Sequence, residues 1–222
     1  MRLVEWALLG PLPPVARARV LDAARSRRYK RGEVVFHEGD PGDSLHLVRT
    51  GRLAVRVSTE TGESATLRLL RPGDAFGELS LVRPRESHRR TATVTALEPV
   101  ETLVLPGTTF EKLCASDPQV VRLLTALLAE RVDQLSQRLV EALYVGVERR
   151  VFRRLLELVE IYGGGHSSAV IPLTQDDLAG LAGAARPTVN QALQRLAAQG
   201  VITLRRGSIE VNDATALRRR TR

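Results

Sequence analysis

The residues with the clearest chemical potential lie near the C-terminal end of the chain. Polar side chains are interspersed there with apolar ones, and the polar set is Arg186, Thr188, Asn190, Gln191 and Gln194. A guanidinium donates two hydrogen bonds to the edge of a guanine, and Asn or Gln pairs in a similar way with adenine. On one face of a helix these side chains would read base edges. The alternative is a solvated helical face that binds nothing.

Two short helices and a tight turn are predicted to present this face. Thr174, with Asp177 three residues later, resembles a capping box at the start of the first helix. Gly183 allows the turn, and Pro187 fits the first turn of the second helix because no N–H partner is needed there. This pattern is typical of a helix-turn-helix. We expect Thr174 and Gln175 to contribute to DNA binding.

A wing is predicted directly after the second helix. Residues 201–204 and 209–211 would form two strands, joined by a basic turn that contains Arg205 and Arg206. We expect these two arginines to bind phosphates, which position a protein on DNA without specifying sequence. The formal net charge of +8 comes almost entirely from arginine, since only Lys30 and Lys112 are lysines. Both features favour a nucleic-acid partner.

A long helix is predicted from Ser116 to Leu143, followed by Gly146 as a hinge and a second helix from Val147 to Tyr162. Apolar side chains recur along the long helix at steps of three and four, which makes a narrow stripe typical of a coiled coil. The alternative is a helix that packs on its own domain. We interpret the stripe as the seam of a homodimer, formed by Val121, Leu124, Leu128, Val132, Leu135 and Leu139.

Antiparallel β-structure is predicted for the first part of the chain, after a helix over residues 12–26. Short segments alternate apolar and polar residues, which is the period of a strand. Gly, Pro and Asp separate these segments, as expected for turns, and the spacing favours a barrel or sandwich. The predicted strands are residues 33–37, 45–48, 53–57, 65–70, 91–97 and 101–105.

Composition argues against several classes of protein. The single cysteine, Cys114, cannot form an internal disulfide or a multi-cysteine metal or iron–sulfur site. No stretch reaches the ~20 apolar residues of a membrane span, and the N-terminus lacks a signal-peptide pattern. The sequence shows no catalytic triad, metal-ligand cluster or phosphate-loop motif. We therefore expect a cytoplasmic protein with no membrane association, no bound metal and no enzymatic activity.

Several motifs resemble a cyclic-nucleotide-binding domain. They are Glu38-Gly39-Asp40-Pro41-Gly42-Asp43-Ser44, Gly51-Arg52-Leu53, Pro72-Gly73-Asp74-Ala75-Phe76-Gly77-Glu78-Leu79-Ser80 and Arg90-Thr91-Ala92-Thr93-Val94. With residues 173–211 behind them, the chain resembles the cAMP receptor protein / FNR superfamily of bacterial transcription regulators over nearly its full length. The resemblance implies an α+β fold: an N-terminal antiparallel β-roll of the jelly-roll type (1–115), a long dimerisation helix with a hinge (116–146) and a C-terminal winged helix-turn-helix (147–222).

The resemblance also implies a ligand site, for cAMP or a related cyclic nucleotide. Backbone N–H groups around Gly77 would face the cyclic phosphate, and Glu78 would accept a hydrogen bond from the ribose 2′-hydroxyl. Arg90, or its neighbour Arg89, would pair with the phosphate. Thr91 would donate a hydrogen bond to the phosphate from its hydroxyl. The expected set is completed by Leu79, Ser80, Leu135 and Ser136. The alternative is a relic site whose residues only close the barrel.

Because the sequence departs from the family pattern, the resemblance does not determine the identity of the ligand or the base sequence of the operator. Leu135 stands where the family's adenine-contacting Thr is expected, so another ligand, or none, remains an alternative to cAMP. The loop from Glu78 to Arg90 is longer than in the catabolite activator pattern. In the second helix of the helix-turn-helix, the recognition helix, only Arg186 matches a base-reading residue of the catabolite activator pattern. We therefore expect an operator that is palindromic but differs in sequence from the catabolite activator's.

Partners and rival functions follow from the same resemblance. RNA polymerase is an expected partner of a regulator of this type. One rival is a ligand-independent regulator controlled by its expression level, and another is a cyclic-nucleotide-regulated subunit that does not bind DNA. Haem sensing is not expected, because the four histidines, His37, His46, His88 and His166, are interpreted as surface residues.

Overall fold

The computed structural model describes residues 6, 8–10, 12–58, 64–82, 88–164 and 166–221. The chain divides into two compact units, one made of Met1–Val57 and Leu67–Asp133, the other of Ser58–Thr66 and Gln134–Arg222. Within the described ranges, no helix is both long enough and apolar enough to cross a membrane.

The N-terminal part of the chain is an antiparallel β-roll, as the sequence predicts. Its two four-stranded sheets have the orders β1-β8-β3-β6 and β2-β7-β4-β5. Helices α1 (Pro14–Ala23), α2 (Leu79–Val82) and α3 (Gly107–Ser116) accompany them. The strands are β1 (Arg25–Tyr29), β2 (Val34–Phe36), β3 (Ser44–Thr50), β4 (Leu53–Ser58), β5 (Ser64–Leu70), β6 (Ala75–Phe76), β7 (Thr93–Ala96) and β8 (Val100–Pro106).

Two helix boundaries differ from the predicted ones. The first helix ends at Ala23, because the arginine-rich segment after it forms β1 and pairs with β8, with Arg25 opposite Val104 and Tyr29 opposite Val100. Four of the five residues of β1 are exposed, so no apolar alternation marks the strand. A separate helix, α3, ends at Ser116, the residue at which the long helix is predicted to begin. The side chain of Phe110 is buried on α3.

The β-roll has two apolar clusters. One joins the N-terminal residues Trp6, Leu8, Leu9 and Leu12 to buried side chains of β3, β8 and α3. The indole Nε1 of Trp6 donates to the carbonyl oxygen of Val48 over 2.9 Å, which satisfies a polar group that would otherwise be buried without a partner. The second cluster contains Phe76, so the segment that leads into the candidate ligand site starts from a packed core.

Helix α4 (Pro118–Tyr144) carries the residues of the predicted dimer seam, which stays a prediction. Leu124 is buried in the core of the β-roll, and Leu128 packs against that core. These two residues therefore stabilise their own domain, which is the alternative that the apolar stripe left open. The seam positions with exposed side chains are Val121, Val132, Leu135 and Leu139, which are between 45 % and 61 % exposed.

The C-terminal unit is a winged helix-turn-helix, as predicted. Its strands have the order β10-β11-β9 and pair antiparallel. Thr174 and Asp177 form the full capping box, and Gly183 ends α6 with a φ of +58°. The elements are α5 (Val147–Gly163), β9 (Ala169–Ile171), α6 (Gln175–Ala182), α7 (Arg186–Ala198), β10 (Ile202–Arg205), β11 (Ser208–Val211) and α8 (Ala214–Arg219).

Ion pairs surround the predicted hinge at Gly146. Glu141, near the end of α4, pairs with Arg153 over 2.6 Å and with Arg154, both on α5. Arg154 is buried and also pairs with Glu157 over 2.7 Å. The end of α4 is thus tied to α5 by charge-assisted hydrogen bonds, while the hinge role of Gly146 stays a prediction.

Candidate ligand pocket and DNA interface

Arg90 lies at the centre of the candidate ligand pocket. Its side chain is buried, and Nη1 donates to the carbonyl oxygens of Ser44 over 2.9 Å and of Gly77 over 3.0 Å. Nη1 also lies 3.2 Å from Oγ of Ser80, and Nη2 donates to Oγ of Ser44 over 2.9 Å. The guanidinium therefore ties β3, the Gly77 turn and α2 together.

The position of Arg90 is set by a backbone pairing with the loop before β3. The N–H of Gly39 donates to the carbonyl of Arg90, and the N–H of Arg90 donates to the carbonyl of Asp40, each over 2.8 Å. The same pairing turns Arg89 outward, where it is exposed and donates to the carbonyl of Gly39 over 2.8 Å. Of the two arginines that the sequence leaves in competition, Arg90 lies inside the pocket.

Close backbone approach at this site requires two glycines. A Cβ at Gly77 would lie 2.5 Å from Nη1 of Arg90, and Gly77 has a φ of +87°, which L residues rarely adopt. A Cβ at Gly42 would lie 2.2 Å from Cβ of Ser80. Each of these distances is shorter than a van der Waals contact, so a larger residue at either position would push the pocket apart.

An aromatic group packs beside the guanidinium. Cζ of Arg90 lies 4.1 Å from the ring centroid of Phe36, a cation–π contact. His46 stacks on Phe76 with 4.8 Å between centroids and meets Phe36 edge-on at 5.7 Å. His46 is 3 % exposed, so its interpretation as a surface residue is wrong. Burial, with Arg90 nearby, lowers the pKa of His46 to about 3.

One edge of the Arg90 guanidinium has few partners among the described residues. Nε is buried and has no hydrogen-bond partner among the described residues, and Nη2 engages only Ser44 and, at 3.8 Å, the exposed carboxylate of Asp43. Burial lowers the pKa of Arg90, while the carboxylates of Asp43 and Asp40 raise it. Nε and Nη2 form a side-on fork, the arrangement with which arginine binds a phosphate or carboxylate.

Glu78 supplies an acceptor at the same site. It is 1 % exposed, and its Oε1 forms an ion pair with Nη1 of Arg131 on α4. Oε2 of Glu78 has no partner among the described residues. Arg131 also donates to the carbonyl of Ala75 over 2.9 Å, and burial lowers its pKa to about 10. Arg131 is absent from the predicted ligand site, where the long helix contributes only Leu135 and Ser136.

The remaining predicted ligand residues are divided between the two compact units. Leu79 and Ser80 begin α2, and Thr91 directly follows Arg90. Leu135 and Ser136 are exposed on the part of α4 that belongs to the other unit. The structure therefore brings together Gly77, Ser80 and Arg90, with Glu78 next to them in the chain, whereas a role for Leu135 and Ser136 stays a prediction.

The candidate DNA interface lies between α6, α7 and the wing. On α7 the apolar Val189 and Leu193 are buried, and the opposite face carries the predicted base readers: Arg186, Thr188, Gln191 and Gln194 are exposed and Asn190 is partly exposed. A groove of about 300 Å³, here called the wing groove, is lined by Leu173, Thr174, Gln175, Asp176, Arg186, Leu204, Arg205, Gly207, Ser208 and Ile209.

Both arginines of the wing groove contact carboxylates that are absent from the predicted DNA interface. Nε of Arg186 lies 3.1 Å from Oδ1 of Asp176, and Nε of Arg205 donates to Oε2 of Glu210 over 2.9 Å. Arg206 is exposed in the turn between β10 and β11. Within the part of the chain that the structure describes, no cluster of three or more His, Cys, Asp or Glu side chains could hold a metal ion.

Comparison with known proteins gives two family matches and several relatives. The family described as the cyclic nucleotide-binding domain matches residues 26–117, and the Crp-like helix-turn-helix domain matches residues 149–220. The chain is 32 % identical to the CRP-like cAMP-activated global transcriptional regulator of Mycobacterium tuberculosis, over 99 % of this chain and 98 % of that protein.

A curated relative and a solved structure from Thermus thermophilus are also similar to this chain. The cyclic AMP receptor protein is 35 % identical over 86 % of this chain and 85 % of its own length. The crystal structure of the catabolite activator protein from that organism aligns with a TM-score of 0.55 and 32 % identity, over 97 % of this chain and 98 % of the other.

Proposed function

The chain belongs to the cAMP receptor protein / FNR superfamily, and from that premise we propose that it is a homodimeric regulator whose DNA binding is gated by a cyclic nucleotide. Membership makes it a DNA-binding transcription regulator with a cyclic-nucleotide-binding domain. The gating, the dimer and the identity of the ligand are the proposal.

The observation that carries the proposal is the pair of unsatisfied groups in the ligand pocket. Nε of Arg90 is a buried donor without a partner, and Oε2 of Glu78 is a buried acceptor without one, among the residues that the structure describes. A buried polar group of this kind costs free energy unless a ligand or water satisfies it. A cyclic phosphate would satisfy the first group and a ribose 2′-hydroxyl the second, so the residues present fit a cyclic nucleotide.

The class of ligand is supported more strongly than its base. The Mycobacterium tuberculosis relative is named as cAMP-activated, and the Thermus thermophilus relative as a cyclic AMP receptor. This chain keeps the arginine, glutamate and glycine that would hold the sugar and phosphate. It carries Leu135 rather than a hydroxyl residue before Ser136, so cAMP is the first ligand to test, with cGMP and cyclic dinucleotides beside it.

Gating requires that the ligand bind one form of the protein better than another. A ligand shifts a two-state equilibrium only by its differential affinity for the two states. The apolar residues exposed on α4, such as Val132 and Leu139, would form a dimer seam, since large apolar side chains in a row are costly in water. Two recognition helices would then meet a palindromic operator, with RNA polymerase as a further partner.

Two alternatives remain distinguishable. A ligand-independent regulator would bind its operator equally well with and without nucleotide. A nucleotide-regulated subunit without DNA binding would leave the wing groove unused. The wing groove carries the predicted base reader Arg186 beside the predicted phosphate ligand Arg205, which favours the DNA-binding proposal.

The test is a binding assay with a selected operator. Duplexes are enriched from a random pool with the purified protein in the presence of cAMP, cGMP or a cyclic dinucleotide, and affinities are measured by fluorescence anisotropy with and without each nucleotide. The proposal predicts tight binding only with one cyclic nucleotide. Equal affinity in all conditions would support the ligand-independent alternative, and no enrichment at all would contradict DNA binding.

A further inference from the structure

Each arginine of the wing groove has a carboxylate of the same domain at its Nε. Asp176 faces Arg186 at 3.1 Å, and Glu210 accepts from Arg205 over 2.9 Å. A surface that bound DNA through phosphates alone would bind best if its arginine and lysine side chains had no acidic partner. Affinity rises with the positive charge that contacts the DNA backbone. The two carboxylates lower that charge in the groove where phosphates are expected.

Folding does not account for the contact between Arg186 and Asp176. The two side chains are 66 % and 61 % exposed, and an exposed ion pair contributes little to stability because water and salt screen it. Asp176 lies in the first turn of α6, but the capping box that starts this helix is made by Thr174 and Asp177. The charge of Asp176 also favours the positive end of the α6 dipole, as that of Glu148 does on α5, so what is particular to Asp176 is its contact with Arg186.

The contact leaves the reading end of Arg186 available. A guanidinium has five N–H groups, and the two terminal nitrogens carry four of them. Oδ1 of Asp176 lies 3.1 Å from the remaining nitrogen, Nε, in an ion-pair contact. Guanine is read through O6 and N7 by two N–H groups of one arginine. An arginine that a neighbouring carboxylate already favours in one orientation loses less rotamer freedom when its end meets the base.

We propose that Asp176 is a positioning residue for Arg186 and raises the discrimination between the operator and other DNA. The inference rests on the proposed function, because it requires Arg186 to read a base. On unrelated DNA, Asp176 acts mainly as a repulsive charge beside the phosphates and weakens binding. At the operator, the preset orientation of Arg186 offsets that repulsion, so the carboxylate widens the difference between the two affinities.

The variant Asp176→Asn removes the charge with little change in side-chain volume. Glu148→Gln is the matched control, because Glu148 also lies in the first turn of its helix and forms an exposed pair with Arg195, at 3.4 Å. Glu148 does not line the wing groove, so this control changes net charge equally but leaves Arg186 in place. Arg186→Ala serves as the reference for a lost base contact.

Affinities for the selected operator and for a scrambled duplex of the same length are measured across a salt series. For Asp176→Asn we expect scrambled DNA to bind about fivefold more tightly, with a salt slope steeper by about one per copy of the chain. Operator affinity should change by less than about twofold, so the ratio of the two affinities falls. Base substitutions in the half-site should be tolerated better, at the base pair where Arg186→Ala also relaxes preference.

Two results would overturn the inference, and they differ from each other. If Asp176→Asn and Glu148→Gln give the same operator-to-scrambled ratio, Asp176 acts only through net charge, and the DNA-binding function stands. If the wild-type protein enriches no duplex with or without a cyclic nucleotide, the proposed function and this inference both fail.

Discussion

A Cβ at Gly77 would lie 2.5 Å from Nη1 of Arg90, and a φ of +87° already makes position 77 unfavourable for other residues. Glycine at this position is therefore what allows the guanidinium to reach the turn that carries Glu78. The backbone at Gly77 therefore sets the position of the Arg90 side chain. That position determines whether Nε and Nη2 of Arg90 can donate to an anion.

Gly77→Ala should weaken cyclic-nucleotide binding at least about tenfold, because a clash with buried Arg90 adds to a backbone strain of about 1–3 kcal/mol. Isothermal titration calorimetry with the nucleotide that gates DNA binding measures the loss. Gly32→Ala is the control: Gly32 has a φ of +82°, but a Cβ there would meet nothing within 4 Å. Equal losses in both variants would show that strain alone, and not the displacement of Arg90, is responsible.

Arg90→Ala should abolish nucleotide binding and also lower the stability of the β-roll by on the order of 2 kcal/mol, because carbonyls of Ser44 and Gly77 lose a charged donor. Arg90→Lys keeps the charge but not the side-on fork, and should bind poorly with a smaller loss of stability. Arg89→Ala, at an exposed position, is the control in urea unfolding and calorimetry. If Arg89→Ala weakened nucleotide binding more than Arg90→Ala, Arg89 and not Arg90 would be the phosphate ligand.

Arg131→Ala should destabilise the β-roll by about 3–5 kcal/mol, because it leaves the buried carboxylate of Glu78 without a partner. The double variant Glu78→Gln, Arg131→Ala should be more stable than Arg131→Ala, since it removes both charges. A double-mutant cycle in urea with Glu78→Gln as the second single variant measures the coupling. Additive effects would mean that the ion pair contributes nothing.

His46 should make the β-roll acid-sensitive below pH 6.5. Its pKa is about 3 in the folded protein against 6.5 as the ordinary value, so below pH 6.5 the unfolded chain binds a proton that the folded one does not. The free energy of unfolding should then fall by up to about 1.4 kcal/mol per pH unit as the pH drops towards 5. His46→Phe, which keeps the aromatic packing with Phe36 and Phe76, should remove that slope. Urea unfolding between pH 5 and 7 decides, and an unchanged slope would contradict the buried position of His46.

Leu139→Glu should convert a dimer into a folded monomer, because an exposed seam residue would become a charge buried against a partner. Leu128→Glu should instead lower the stability of each chain, since Leu128 packs on the core of its own β-roll. Light scattering at micromolar concentration reports the mass, and thermal unfolding reports the stability. A wild-type monomer in this assay would rule out the proposed seam.

The sequence predicted the elements whose signal is local. The capping box at Thr174, the turn at Gly183 and the start of α7 at Arg186 are formed within a few residues, so residue type and spacing suffice. It missed β1, because an exposed arginine-rich strand has no alternation and exists only through its pairing with β8. It also failed to separate Leu124 from Leu139, since both fall on one apolar stripe and only the position of the core distinguishes them.

The sequence by itself predicted antiparallel strands, then a long helix, then a winged helix-turn-helix, because hydrophobic period and turn residues are properties of the chain, and the resemblance to the superfamily implied that the strands form a β-roll. Only the tertiary structure decided which of Arg89 and Arg90 enters the pocket, that His46 is buried beside it, and that Arg131 meets Glu78. These contacts join residues that are far apart along the chain and come from different strands, turns and helices. Their geometry depends on strand pairing and backbone clearance at Gly77, which no local pattern encodes.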